Sequence, residues 1–235
     1  MSITSVKKYC VKGYRRISHR KGYGVHSPFV YTLITRVIEE DAAYYAYDKI
    51  EEKRETVKTA LTGKQRHTLM PLKTAKLLFR IINKFKPRSI LECGTSYGIS
   101  TTAIILAAPE AQIKTVEADD RRRTYLPQHA NIEIHGSGYI EEISASYQNT
   151  NPPEFIYIRE QDRAEEYEKI FTSIEHCISD NTIIMGEGMH KTEEIYRLFN
   201  KMAKHEKIKV FMDMYDTALF IASPKLNKER YKESF

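Results

Sequence analysis

The sequence predicts an α/β protein: a doubly wound, mostly parallel seven-stranded sheet with a C-terminal antiparallel hairpin and an N-terminal helical extension. Three observations predict it. From about residue 70 onward, short apolar runs alternate with amphipathic helical stretches, the rhythm of a parallel sheet covered by helices. The first of these runs ends in a glycine-bearing turn that opens a helix. Finally, the last two apolar runs are separated only by Met214-Tyr215-Asp216, too short for a crossover helix, so they must pair antiparallel.

Residues 1–69 form the extension. Ser27 can cap a helix and Pro28 suits its first position, where a missing N–H costs nothing. Phe29, Val30, Leu33, Ile34, Val37 and Ile38 then give a broad apolar stripe. A weaker, charge-rich helix covers 44–61. The second unit, 70–235, begins with a helix over 71–85, whose Ala75, Leu78, Ile81, Ile82 and Phe85 share a face and which Pro87 stops. Strands are expected at 88–93, 112–117, 131–135, 154–158, 182–185, 208–213 and 217–223. Helices are expected between them at 98–107, 139–147, 164–177 and 191–205.

Composition excludes several classes. Of 235 residues, 41% are hydrophobic, enough for a real core, and Gly and Pro together contribute only 18, too few for a low-complexity chain. Cys10, Cys93 and Cys177 have neither zinc-site nor disulfide-framework spacing. No apolar run approaches the roughly 18 residues of a membrane helix, so a soluble, cytoplasmic protein is expected. The formal charge is +6. Much of the excess lies in 1–21, where Lys7, Lys8, Lys12, Arg15, Arg16, Arg20 and Lys21 meet no acid.

In an open parallel sheet, ligands bind beyond the carboxyl ends of the strands. Glu92-Cys93-Gly94-Thr95-Ser96-Tyr97-Gly98-Ile99-Ser100 sits at such an end. Gly94 can take a positive φ and let a ligand approach the backbone, Gly98 admits the chain to the helix, and Ser96 or Ser100 can add a hydroxyl contact. The segment is neither the G-x-G-x-x-G fingerprint nor a P-loop. Glu117 ends the next strand 23 residues beyond Gly94, where a carboxylate can receive a ribose diol. Asp119 and Asp120 are alternatives. Glu92 either fixes the turn or meets a ligand ammonium.

These residues resemble the class I S-adenosylmethionine-dependent methyltransferases, nearest the small-molecule O-methyltransferase branch, over about 70–225. The family segment E-x-G-x-x-x-G-x-S is complete here from Glu92 to Ser100. The resemblance implies a Rossmann-like domain with S-adenosylmethionine as cofactor. Glu92, Gly94, Ser96, Gly98 and Ser100 would hold its amino-acid part, Glu117 its ribose, and Gly136 and Ser137, in His135-Gly136-Ser137-Gly138, its adenine. Metal-dependent members end the fourth strand with a ligating aspartate and follow the fifth with Asp-Asn. Arg159 and the pair Gly186-Glu187 stand at those places here. A guanidinium beside one carboxylate is a poor cage for a hard cation, so no metal is expected.

Methyl transfer to an oxygen, less readily a nitrogen, of a small acceptor is therefore expected, with Arg159, Glu187 and His190 as its catalytic residues. His135 is a second candidate base. Arg159 either binds an anionic group of the acceptor or pairs with Glu187 or Glu160, and Tyr157 points into the packing. The alternatives are an RNA-associated methyltransferase, a non-enzymatic nucleic-acid binder, and a relative that binds the cofactor without transfer. The basic, aromatic N-terminus suits an anionic partner, and its helices suit a homodimer. Tyr23 and His26, in a loop over 22–29, are expected to face the cleft.

Overall fold

The computed structural model describes residues 10–11, 13–15, 22–136, 141, 147, 152–233 and 235. The predicted helix at 139–147 and the candidate Ser137 therefore lie outside the described residues, apart from 141 and 147.

Within the described part of 1–69, the helix expected behind Ser27 and the charge-rich helix both form. Helix α1, Pro28–Leu33, starts with Pro28 behind Ser27, whose hydroxyl accepts from the Val30 N–H at 3.4 Å. It runs on through a wider turn at Ile34–Ile38. Helix α2, Ala46–Ala60, and helix α3, Leu72–Phe85, follow, the latter closed by Lys86 in the left-handed conformation at φ 48°. Then come β1, Ser89–Cys93; α4, Ile99–Ala107; β2, Gln112–Val116; α5, Asp120–Arg123; β3, Ile132–His135; and β4, Phe155–Ile158. Helix α6, Ala164–Glu175; β5, Ile183–Glu187; α7, Glu193–Met202; β6, Ile208–Asp213; β7, Thr217–Ala222; and β8, Glu229–Lys232 complete the chain.

The sheet order is β3-β2-β1-β4-β5-β7-β6-β8. The seven expected strands form, and β8 is an eighth, pairing parallel to β6 from Val210 opposite Glu229. The expected C-terminal antiparallel hairpin is β6 with β7. β7 inserts between β5 and β6, antiparallel to both, and β8 takes the edge. The strand period of two divides the core cleanly between the sheet's faces. Ile90, Phe155, Tyr157, Met185, Met212 and Leu219 pack with α1 to α4; Leu91, Ile156, Ile158, Ile184, Phe211 and Phe220 pack with α6 and α7. The helices within 1–69 thus share one apolar core with the sheet. Chain order reverses beside β1, where β2 lies on one side and β4 on the other, and this opens a crevice at the strands' carboxyl ends.

One residue past β8 the pairing with β6 continues, the Glu233 N–H donating to the Asp213 carbonyl at 2.8 Å. The Glu233 carboxyl is buried, with Oε2 lacking a partner among the described residues. Burial, then the charge of Glu39, push it up to about 7, against the pull of Arg15. A carboxyl raised in the folded state favours folding below its unfolded pKa, and that contribution is lost as pH rises from about 4.5 to 7. Glu233→Gln, which cannot ionise, is therefore expected to be more stable than the parent by about 3 kcal/mol at pH 8, with no gain at pH 4. Urea unfolding at the two pH values checks this, and an equal difference at both refutes it.

Candidate active site

The crevice is a cleft of about 700 Å³, within the usual range for small-molecule sites. Gly94, Ser96, Glu117, Arg159 and Glu187 line it from the ends of β1, β2, β4 and β5, with Thr68 and Leu69 on the rim. Gly94 has φ +90°, and a Cβ there would lie 3.0 Å from the Arg159 Cβ, so the chain's own β4 loop already demands glycine. The Gly94 and Thr95 amides both donate to the Val116 carbonyl, at 3.0 and 3.2 Å. Glu117 is 4% exposed and accepts from the Ser96 N–H at 2.6 Å and the Asp119 N–H at 2.9 Å. Each carboxylate oxygen keeps a further lone pair.

Glu92 and Ser100 are elsewhere. Glu92 is fully buried beneath α4 and accepts from Ser100 Oγ at 2.5 Å, Thr101 Oγ1 at 2.8 Å and Thr115 Oγ1 at 2.7 Å. Burial raises its pKa against those three hydroxyls. The pair fixes the turn, and neither residue lines the cleft. Gly98, at φ +74°, stands where a Cβ would meet the Tyr125 carbonyl oxygen at 2.9 Å, so its small size serves packing. Gly136 follows β3 without lining the cleft, and His135 Nε2 lies 3.1 Å from Glu133.

Arg159 lines the cleft and is paired there. Its Nε is 3.5 Å from Glu187 Oε2, and Nη2 donates to the Thr68 carbonyl at 2.5 Å. Glu187 also accepts from the buried Tyr157 hydroxyl at 2.6 Å, so Tyr157 is packed but keeps a polar task. Among the described residues, no group of three or more His, Cys, Asp or Glu is placed to hold a metal ion.

A second cleft, of about 380 Å³, adjoins the first and shares Pro71, Glu160, Glu187 and Lys191 with it. His190 and Thr217 also line it. The Thr217 hydroxyl is buried without a hydrogen-bond partner among the described residues. His190 Nε2 lies 3.0 and 2.9 Å from the two oxygens of Asp213, the last residue of β6. A carboxylate only accepts, so Nε2 carries a proton, and in the neutral ring Nδ1 is the acceptor nitrogen. The ring is held between Tyr215, stacked at 4.6 Å and 4°, and Tyr196 at 4.8 Å. Tyr215 sits at φ +73°, a costly conformation for an aromatic residue, where its N–H donates to Asp213 Oδ1 at 2.9 Å.

Sequence reasoning missed Asp213, Tyr215 and the hydroxyl of Tyr157. Asp213 carried a usable signal: an acid closing an apolar strand at the sheet's functional end. Tyr23 is 85% exposed and His26 is exposed, and neither is among the residues that line these two clefts. Of the basic leader, Arg15 is described, whereas Arg16, Arg20 and Lys21 lie outside the described residues.

No family model and no curated protein sequence matches the chain. Solved structures do. A Podospora anserina methyltransferase bound to S-adenosylhomocysteine is 11% identical with a TM-score of 0.60, over 84% of this chain and 97% of that one. The O-methyltransferase of tomaymycin synthesis from Streptomyces achromogenes, in complex with S-adenosylmethionine, is 15% identical at 0.57, over 77% and 91%. A Bacillus cereus O-methyltransferase in complex with S-adenosylhomocysteine is 15% identical at 0.57, over 78% and 93%. No helix of the described residues is long and apolar enough to cross a membrane. In architecture, the chain has the Rossmann-like fold of the O-methyltransferases.

Proposed function

We propose that the protein transfers a methyl group from S-adenosylmethionine to a hydroxyl of a small acceptor, without a metal ion. The observation that carries this reading is the meeting of two clefts at Glu160, Glu187 and Lys191: one edged by the Glu117 carboxylate, the other by the His190–Asp213 pair. The larger cleft fits the cofactor in volume, and Glu117 retains the lone pairs to take both ribose hydroxyls. When bound, S-adenosylmethionine supplies an electrophilic sulfonium methyl.

The remaining work falls to the chain. Gly94 and Ser96 border the cofactor's path along β1, and Glu117 fixes its sugar. Asp213 holds the Nε2–H of His190, leaving Nδ1 to take the acceptor's hydroxyl proton as the oxygen becomes nucleophilic. Thr217 offers its unpartnered hydroxyl to a polar atom of the acceptor. Arg159 is committed to Glu187 and the Thr68 carbonyl, and it braces the wall between the clefts. Its charge beside Glu187 makes the donor set unsuited to a hard dication. A small acceptor accords with the 380 Å³ of the second cleft.

Calorimetric titration with S-adenosylmethionine and S-adenosylhomocysteine tests the reading. Saturable binding of both at one site per chain is expected. Folded protein that binds neither overturns it.

A further inference from the structure

We propose that Arg15, brought in by the N-terminal segment, is a positioning residue of this site: its guanidinium clamps Asp213 and balances its charge, so that Asp213 orients His190 without fixing a second proton on it. Arg15 lies 198 residues from Asp213 in sequence, yet it is only 6% exposed. Nη1 and Nη2 donate to Oδ1 and Oδ2 at 2.8 and 2.9 Å, the forked geometry that arginine alone provides. Nη1 also reaches the Asp213 carbonyl at 3.1 Å, and the guanidinium lies 5.4 Å from the Tyr215 ring centre. The clamp therefore grips the backbone, the carboxylate and the stacked ring that together hold His190.

A solvated leader would not bury one arginine on the residue that orients the candidate base. Asp213 is 2% exposed and accepts from Arg15, Tyr215 and His190 at once. Burial alone would raise its pKa; the bonds from His190 and Arg15 outweigh burial and hold it well below the usual carboxylate range. With His190 as its only cationic neighbour, that buried charge would draw a second proton onto the ring and remove the acceptor nitrogen. With Arg15 in place the charge is already met. Among the described residues, the groups facing the ring are Asp213 from β6, Arg15 behind it, Tyr215 from the β6–β7 turn and Tyr196 from α7, with Glu160, Glu187, Lys191 and Asp216 lining the same cleft.

The role assigned to His190 rests on the methyl-transfer reading, but the electrostatic coupling can be tested without it. In the full-length protein, the His190 ring signals are followed by NMR against pH in the parent, Arg15→Gln and Arg15→Lys. In Arg15→Gln the ring's titration is expected to move to higher pH by about one unit, because a contact charge typically moves a titration by about 1–3 units. Arg15→Lys keeps the charge but not the fork, and a smaller upward move is expected. Affinity for S-adenosylhomocysteine should match the parent in both, since Arg15 does not line the cofactor cleft. A purely structural arginine would leave the ring's titration in place, so coincident curves in folded Arg15→Gln overturn the proposal. Should that variant not fold, coincidence of the Arg15→Lys and parent curves does so. A parent that fails to bind S-adenosylhomocysteine refutes the methyl-transfer reading alone and leaves the titration result standing.

Discussion

Glu117→Ala is expected to weaken S-adenosylhomocysteine binding by about 100- to 1,000-fold. Two charge-assisted hydrogen bonds to a ribose diol contribute about 1.5–2 kcal/mol each, and each 1.4 kcal/mol is tenfold in affinity. The carboxylate is buried at the end of β2 and already accepts from the Ser96 and Asp119 amides. Its removal therefore loosens the β1 loop as well as the sugar contact. Glu117→Gln separates the two effects: the amide keeps one acceptor oxygen and the side chain's size, so a loss of about tenfold is expected. Calorimetry with each variant, beside thermal melts to establish folding, is the measurement. A folded Glu117→Ala protein with parental affinity would show that the sugar is held elsewhere and would remove the main support for a nucleoside in this cleft.

The layered fold was legible because the strands buried on both faces read as short apolar runs, while period two assigned alternate residues to each helix layer. β8 was not legible. Glu229-Arg230-Tyr231-Lys232 has one apolar residue in four, and it is a strand because β6 offers it an unpaired edge. The place of β7 was also hidden, since a three-residue turn dictates antiparallel pairing with β6 but says nothing of which partner takes the other side. Within the site, the fate of Glu92 could have been read from parity. It stands two residues after Ile90, on the face that α4 covers, and Ser100 and Thr101 lie in the first turn of α4. A carboxylate buried there has to be bonded by those hydroxyls. Asp213 ended a strand visibly enough, but its meaning depended on Arg15 and His190, and no local pattern links residues so far apart in sequence. Glu117, the acid proposed to bind the sugar, by contrast lay at a strand end whose spacing from the glycine turn follows from the topology itself.

His190→Ala is expected to lower methyl transfer to an oxygen acceptor by about 100- to 10,000-fold in turnover, the usual contribution of a positioned general base. Affinity for S-adenosylhomocysteine should stay at the parental value, because the ring lines the second cleft and not the first. Raising the pH should recover part of the lost rate if the acceptor is a phenol or another acidic hydroxyl, since solvent then removes the proton that His190 would have taken. Asp213→Asn is the informative companion. An amide can present its NH2 group to Nε2, which moves the ring's proton to Nδ1 and presents a donor where an acceptor is needed. The same change leaves Arg15 buried without its counter-charge, a loss of about 3–5 kcal/mol in stability. Turnover must therefore be compared at a temperature where both variants are folded. Single-turnover rates with labelled S-adenosylmethionine, beside circular dichroism, separate chemistry from folding. Parental turnover in folded His190→Ala would exclude the imidazole as base and leave the acceptor to arrive already ionised.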